Sequence, residues 1–140
     1  MPSWLIYALL SALAAAGVGI FAKLGMQSVD STLATIVRSM IMTAFLCSWG
    51  AVVGSFGKFT EISGKAIIAV VLSGLAGAVS WLFYFKAISV GKVSQVAAVD
   101  KLSMPFAVLL AVIFLQDKMA PVNWLGIGLM VVGAYLAIWK

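Results

Sequence analysis

The sequence contains no histidine, a single cysteine and only four acidic residues among its 140 positions. Without histidine, neither a Cys/His metal cluster nor a Ser-His-Asp triad can be assembled. The single cysteine, Cys47, lies inside an apolar run, and we interpret it as a buried packing residue. The glycines also lie within apolar runs and form no phosphate-binding loop. These absences argue against conventional enzyme chemistry, and we predict no catalytic residues, no metal and no cofactor.

Charge of either sign is scarce along the whole chain. Charged residues make up 9% of the sequence and hydrophobic residues 64%, with a mean hydropathy of +1.19. A soluble domain carries about 25% charged residues, so the deficit indicates a membrane protein. The net charge of +5 comes from bases that stand singly between apolar runs, which fits lysines on the cytoplasmic side. It gives no reason to expect a nucleic-acid partner.

Five apolar segments, separated by polar and turn-like breaks, predict five transmembrane helices. Each segment is close to the roughly 17–25 residues that a helix needs to cross a bilayer. Continuous β alternation is absent, and backbone groups in lipid require helices or a closed barrel. We therefore predict an all-α integral membrane protein that forms a single domain over residues 1–140. The predicted spans cover about 3–22, 33–53, 66–85, 93–115 and 122–139.

The distribution of basic residues gives a weak orientation signal. Five spans place the termini on opposite sides, with three lysines on the N-terminal side and four on the other. When Arg38 and Lys101, which lie near the ends of their spans, are included, the C-terminal side has six basic residues and the N-terminal side three. This count favours a cytoplasmic C-terminus. A chain that inserts in both orientations would show an equally weak bias. We expect a multi-pass protein of the cell inner (plasma) membrane.

The fourth predicted span contains an acid, a base and a proline close to its start, in "VAAVDKLSMPFAVLLAVIFLQDK". At about 1.5 Å per residue, Asp100 lies roughly 10 Å deep. We expect Lys101 to face away from Asp100, because adjacent helical residues point about 100° apart, and to reach the surface on its long stem. Pro105 removes a backbone donor, which predicts a bend and a free carbonyl at Lys101. A free carbonyl beside an acid and the Ser103 hydroxyl is typical of polar sites in transporters, whereas the alternative is a structural kink.

Other polar and aromatic side chains complete a candidate pathway. Arg38 lies roughly 8 Å deep in the second span from the same side, so we expect it to pair with Asp100. Trp81 lies about a turn deeper than the aromatic residues at the membrane edges, and it either lines a cavity or is packing. Charged residues inside a membrane are functional by default, although a purely structural Arg38–Asp100 bridge is the alternative. The predicted substrate or ion pathway consists of Arg38, Trp81, Tyr84, Asp100, Lys101, Ser103 and Pro105.

Three segments, "ATIVRSM", "FYFKAISVGKVSQVAAVDKLSMPFAVLLAVIFLQDK" and "NWLGIGLMVVGAYLAI", resemble the EamA repeat of the drug/metabolite transporter superfamily. The resemblance covers essentially the whole chain. Asp117 and Lys118 stand where the family usually has a glutamate followed by a base. The positions that match the family's passage from third to fourth span are Tyr84, Ala87 with Ile88, and Ser103 with Pro105.

The resemblance implies assembly, because most members of this family carry two inverted repeats in one ten-helix chain, whereas this chain has one. We therefore predict a homodimer. An antiparallel arrangement matches the weak charge bias, and a parallel dimer or a partner subunit matches the six-to-three count. Small residues recur at four-residue spacing, as in Ser73 with Gly77 and Gly74 with Ala78, and allow close helix packing. The first span lacks the central acid of the four-span multidrug exporters, which argues against proton-coupled multidrug export.

The leading interpretation is a secondary carrier that moves a small metabolite, an amine or a cation by alternating access. Asp100 would bind a cation, an ammonium group or a proton. Ser103 and the carbonyl of Lys101 would donate and accept hydrogen bonds, and Trp81 with Tyr84 would form an aromatic wall.

Two other functions remain as alternatives at this point. The first alternative is a flippase subunit for lipid-linked sugars, in which Arg38 and Lys101 would hold a phosphate. In the carrier, by contrast, Arg38 would act as a counter-charge. The second alternative is an accessory membrane subunit that transports nothing itself. The expected partners are therefore the lipid bilayer, a small-molecule or lipid-linked substrate and a second copy of the chain.

Overall fold

The computed structural model describes residues 2–139, and within that range it is helical with no strand. Its long α-helices are α1 (Ser3–Gly25), α2 (Ser31–Val52), α3 (Gly64–Val90) and α6 (Pro121–Ile138). The fourth predicted span contains two shorter helices, α4 (Val93–Asp100) and α5 (Ser103–Leu110), followed by a π-helical turn over Ala111–Leu115. A 3₁₀ helix over Ser55–Glu61 follows α2.

The five predicted membrane spans are confirmed. Five helical segments of the described residues are long and apolar enough to cross a bilayer, counting Val93–Leu115 as one. The third span differs most from its prediction of 66–85, because α3 continues to Val90. The chain divides into two compact units, residues 2–20 with 90–139 and Phe21–Ser89, and each is described by itself.

In the unit formed by Phe21–Ser89, Asp30 caps the start of α2. Its carboxylate accepts hydrogen bonds from the backbone N–H groups of Thr32 at 2.8 Å and Leu33 at 3.2 Å. The first N–H groups of a helix have no partner within the helix, and an aspartate at this position satisfies them. The bonds from Leu33 and Thr32, together with the charge of Lys86, hold the pKa of the Asp30 carboxyl below its ordinary value of 3.8.

This cap predicts a pH-dependent stability. Because the pKa of Asp30 is lower in the folded protein, its carboxylate stabilises the fold above pH 3.8, and the contribution disappears as pH falls through the folded pKa. Asp30→Asn should keep most of the cap and lose the charge, whereas Asp30→Ala should lose both. We expect the melting temperature of the wild type to exceed that of Asp30→Asn at pH 7 and to converge with it below pH 3.8. A difference that stays constant from neutral to acidic pH would contradict this account.

Lys23, in the last turn of α1, anchors the end of α3. Its ammonium group donates to the carbonyl oxygen of Ile88 at 2.7 Å and to that of Ser89 at 3.3 Å. The last carbonyls of a helix lack partners within it, and the helix dipole favours a cation there. The interaction therefore fixes the end of the third span against the end of the first.

The segment after α2 turns back over the end of that helix. Gly54 adopts a left-handed φ of 69°, which glycine accepts without strain, and the 3₁₀ helix Ser55–Glu61 begins directly after it. The rings of Phe56 and Phe59 stack with centroids 6.2 Å apart and, with residues of α2, line an apolar cleft. Cys47 also lines this cleft and is exposed, so its interpretation as a buried packing residue is wrong. Hydropathy alone does not reveal which face of α2 the chain covers.

In the other unit, α4 and α5 pack against α6. Pro121 occupies the first turn of α6, where its missing N–H costs no hydrogen bond. Ala134 of α6 is buried, as is Pro105 of α5. This packing places the break between α4 and α5 in the part of the unit that contacts the last span.

Candidate functional site

The fourth span is interrupted where the sequence predicts it. The helix α4 ends at Asp100 and α5 begins at Ser103, so the predicted loss of regularity is confirmed. The predicted free carbonyl is wrong, because the N–H of Met104 donates to the carbonyl oxygen of Lys101 at 3.1 Å. The ψ angles of Lys101 and Leu102, −11° and −19°, are close to those of a 3₁₀ turn. The tighter turn supplies an i+3 donor in place of the i+4 donor that Pro105 lacks.

Asp100 and Lys101 form an ion pair across this break. The ammonium nitrogen of Lys101 lies 3.6 Å from Oδ2 of Asp100. The prediction that Lys101 faces away from Asp100 is therefore wrong. It assumed α-helical geometry for both residues, whereas the helix ends between them and the flexible lysine stem reaches back. The side chains are 34% exposed at Asp100 and 58% at Lys101, so the rest of the chain leaves both accessible.

The remaining part of the fourth span is also irregular. Ser103 lies one turn after Asp100 and is exposed, while Pro105 is buried. The span ends in the π-helical turn Ala111–Leu115, and Gln116 follows with a left-handed φ of 57°. Turns of this π type are frequent at functional sites. The acid, the base and the hydroxyl predicted from sequence are thus adjacent along one discontinuous span.

In the unit Phe21–Ser89, Arg38 lies against aromatic side chains of α3. Its guanidinium carbon is 3.4 Å from the centroid of the Trp81 ring and 5.2 Å from that of Phe85. Trp81 and Tyr84 each contact Phe85 edge to face, with centroids 6.1 Å and 5.7 Å away. The structure therefore brings together three of the predicted pathway residues, with Trp81 beneath the guanidinium. Phe85 is a fourth member of this cluster, and the sequence did not predict it.

The two helices present these residues on regular stripes. Positions spaced by four and then three residues share one face of a helix, and this spacing is the signal that could have identified Phe85. Ser31, Thr35, Phe85 and Ile88 are all less than a tenth exposed. The stripes are Ser31, Thr35 and Arg38 on α2, and Trp81, Phe85 and Ile88 on α3.

The guanidinium of Arg38 retains unused hydrogen-bonding capacity. Its Nη1 atom is buried and has no hydrogen-bond partner among the described residues. Within Phe21–Ser89 no carboxylate forms an ion pair with Arg38. The pairing of Arg38 with Asp100 stays a prediction. The arrangement is a cation over an aromatic face, with a buried donor that meets no acceptor within residues 2–139.

Trp81 is expected to contribute strongly to stability through this stack. A partly buried cation–π contact is worth about 1–2 kcal/mol, so Trp81→Ala should lower the melting temperature by roughly 5 °C in detergent. Trp81→Phe should lower it less, because phenylalanine keeps a ring of weaker cation–π strength. Trp4→Ala is the matched control, since Trp4 is 67% exposed. Equal melting temperatures for Trp81→Ala and Trp4→Ala would show that the stack adds nothing.

Over residues 2–139, five apolar helices, one of them interrupted beside an acid–base pair, define a multi-pass membrane protein. The model of the EamA-like transporter family matches residues 2–139, so the chain belongs to that family. It is 39% identical over 134 residues to a protein of Sinorhizobium sp named "Uncharacterized transporter in cobO 3'region", with 96% of this chain and 95% of the relative covered. No solved structure matches the chain. The predicted family is confirmed, and membership indicates a membrane transporter rather than an enzyme.

Proposed function

We propose that the protein is a secondary carrier that moves a small metabolite, an amine or a cation across the inner membrane by alternating access, as a dimer of five-helix repeats. The observation that carries this proposal is the break between α4 and α5 beside Asp100 and Lys101. Discontinuous helices supply the polar groups of substrate and ion sites in many secondary transporters.

The ion pair at the break is suited to exchange. A partly exposed pair between side chains contributes only about 0–1 kcal/mol, so little free energy is lost when Asp100 changes its partner. A cation, an ammonium group or a proton can thus replace Lys101 on the carboxylate. Ser103, one turn later, offers a hydroxyl to the same ligand. The carboxylate would then be paired with lysine when the site is empty and with substrate when it is occupied.

The test starts from ligand identification with the purified protein. Metabolites, amines and lipid phosphates are screened for an increase in melting temperature, because a ligand that binds only the folded state raises it by mass action. The compounds that raise it are then supplied, radiolabelled, to liposomes containing the protein alone, under an imposed proton or sodium gradient. We expect saturable uptake that empty liposomes lack.

The outcome separates the three functional classes. Uptake by the purified protein excludes the accessory-subunit alternative. The flippase would be the function if a lipid phosphate copurifies with the protein, stabilises it and is moved between leaflets. In that case we expect no uptake of soluble compounds. Binding without any movement of ligand would leave the accessory subunit.

A further inference from the structure

The geometry of Arg38 points to recognition of an anion. The guanidinium carbon lies 3.4 Å over the Trp81 centroid, so close that a guanidinium perpendicular to the ring would bring a nitrogen into overlap with it, and we infer a face-to-face stack. Such a stack occupies the flat face of the guanidinium, whereas all of its N–H donors lie in the plane and point outward. Trp81 therefore orients the donors without using any of them.

One of these donors is left with nothing to bind. Nη1 is buried and lacks a hydrogen-bond partner among the described residues, although a buried donor without an acceptor destabilises a protein substantially. Thr35, one turn earlier on the same face of α2, does not relieve it: its hydroxyl donates to the carbonyl oxygen of Ser31 at 2.7 Å, and Nη1 forms no hydrogen bond to its oxygen. An acceptor from outside the chain would satisfy the guanidinium.

We propose that Arg38 binds a carboxylate or phosphate group of the transported molecule, with Trp81 and Phe85 as its supporting wall. Two parallel N–H groups of a guanidinium match the two oxygens of a carboxylate or phosphate, and lysine cannot reproduce this geometry. The inference rests on the proposed carrier function and restricts its substrate to a molecule that bears an oxoanion, with or without an amine. The same chemistry is present in a soluble metabolite and in an anionic lipid headgroup.

The first experiment measures binding with the purified full-length chain in a neutral detergent. Inorganic phosphate and succinate are titrated at constant ionic strength, held with chloride, and the melting temperature is recorded. We expect both to stabilise the wild type, Arg38→Lys to bind roughly 10- to 100-fold more weakly, and Arg38→Gln to show no response. Lys58→Gln, which removes one positive charge from the 3₁₀ helix, is the matched control and should respond as the wild type does.

A second experiment does not depend on the folding of any variant. Arg38 is the sole arginine of the sequence, so the mass of its peptide after treatment with phenylglyoxal reports on this guanidinium alone. Phosphate or succinate should slow the modification of the folded wild-type protein. Chloride at the same ionic strength should not.

The third arm identifies the source of the oxoanion. Dihexanoyl phosphatidylglycerol and dihexanoyl phosphatidylcholine, both below their micelle concentrations, replace the soluble anions. Protection of Arg38 by phosphatidylglycerol alone assigns the site to a lipid headgroup, and protection by phosphate or succinate assigns it to a soluble substrate. If none of the anions slows the modification, the proposal is overturned. Uptake into liposomes without protection of Arg38 from phenylglyoxal would overturn the oxoanion site and leave the carrier function standing. Protection of Arg38 without uptake would leave the oxoanion site standing and overturn the carrier function.

Discussion

Asp100→Asn is expected to slow uptake of the identified substrate by roughly 10- to 100-fold. Asparagine keeps the size of the side chain and removes its charge. A hydrogen bond to a charged group is worth about 1.5–3 kcal/mol, and each 1.4 kcal/mol corresponds to a tenfold change, which gives this range. The fold should tolerate the change, because Asp100 is partly exposed and pairs with its sequence neighbour Lys101. The uptake rate and melting temperature of the same preparation check both statements.

Two further variants make this result specific. Asp117→Asn removes the same charge just after the fourth span and should transport at the wild-type rate. Lys101→Gln removes the other member of the ion pair and, if Lys101 competes with the substrate, should lower the KM. Wild-type uptake by Asp100→Asn would show that the carboxylate contacts neither substrate nor coupling ion. Equal slowing by Asp100→Asn and Asp117→Asn would indicate a general effect of charge.

The features of this fold that could be predicted from sequence are those set by local composition. The five spans follow from hydropathy, since a stretch of about 20 apolar residues needs no tertiary context to be recognised. The interruption of the fourth span follows from Pro105, which removes one donor wherever it stands in a helix. The long third span was underestimated because Lys86 marked its predicted end, although α3 continues past it.

The features that could not be predicted depend on which new contacts form where the helix is interrupted and where two helices pack. A proline predicts that a carbonyl loses its helical partner, and the structure supplies Met104 as a new one through a 3₁₀ turn. The same turn brings the ammonium group of Lys101 close to the carboxylate of Asp100. The angle of about 100° between adjacent residues of an α-helix predicted that these two side chains point apart. The stack of Arg38 on Trp81 required the relative rotation of two helices, and no local pattern fixes that. The polar site is therefore less predictable than the spans that position it.

Two copies of the chain are expected to form the transporting unit. One repeat supplies five spans, whereas carriers built from inverted repeats enclose the substrate between two halves. The third span has an open face for such a partner, because a Cβ built at Gly74 or Gly77 meets no atom within 4 Å. Small residues at this spacing let helix backbones approach closely in lipid. A monomer would also leave the charged break of the fourth span facing hydrocarbon, which costs a few kcal/mol.

The glycines of α3 permit a sharp test of this assembly. Gly77→Leu fills the open space and should block close approach of a second copy, yet it should not harm the single chain. The added Cβ meets no atom within 4 Å there, and leucine favours a helix over glycine by about 0.5–1 kcal/mol. We expect the purified wild type to have twice the 14.7 kDa mass of one chain, and Gly77→Leu to be monomeric and inactive in uptake. Gly57→Leu, at an equally open glycine of the 3₁₀ helix, is the control and should remain dimeric.

Orientation within the dimer is decided by labelling a single cysteine placed at either terminus. The background is Cys47→Ala, which leaves the introduced cysteine as the single thiol of the chain. For an antiparallel dimer, a cysteine at the C-terminus should label with an impermeant reagent from both sides of the membrane in equal amounts, and so should one at the N-terminus. Labelling of every C-terminus from the cytoplasm alone would make the antiparallel arrangement wrong and favour a parallel dimer or a partner subunit. Cross-linking and mass measurement that find only single chains would make the dimer itself wrong, and with it alternating access between two five-helix repeats.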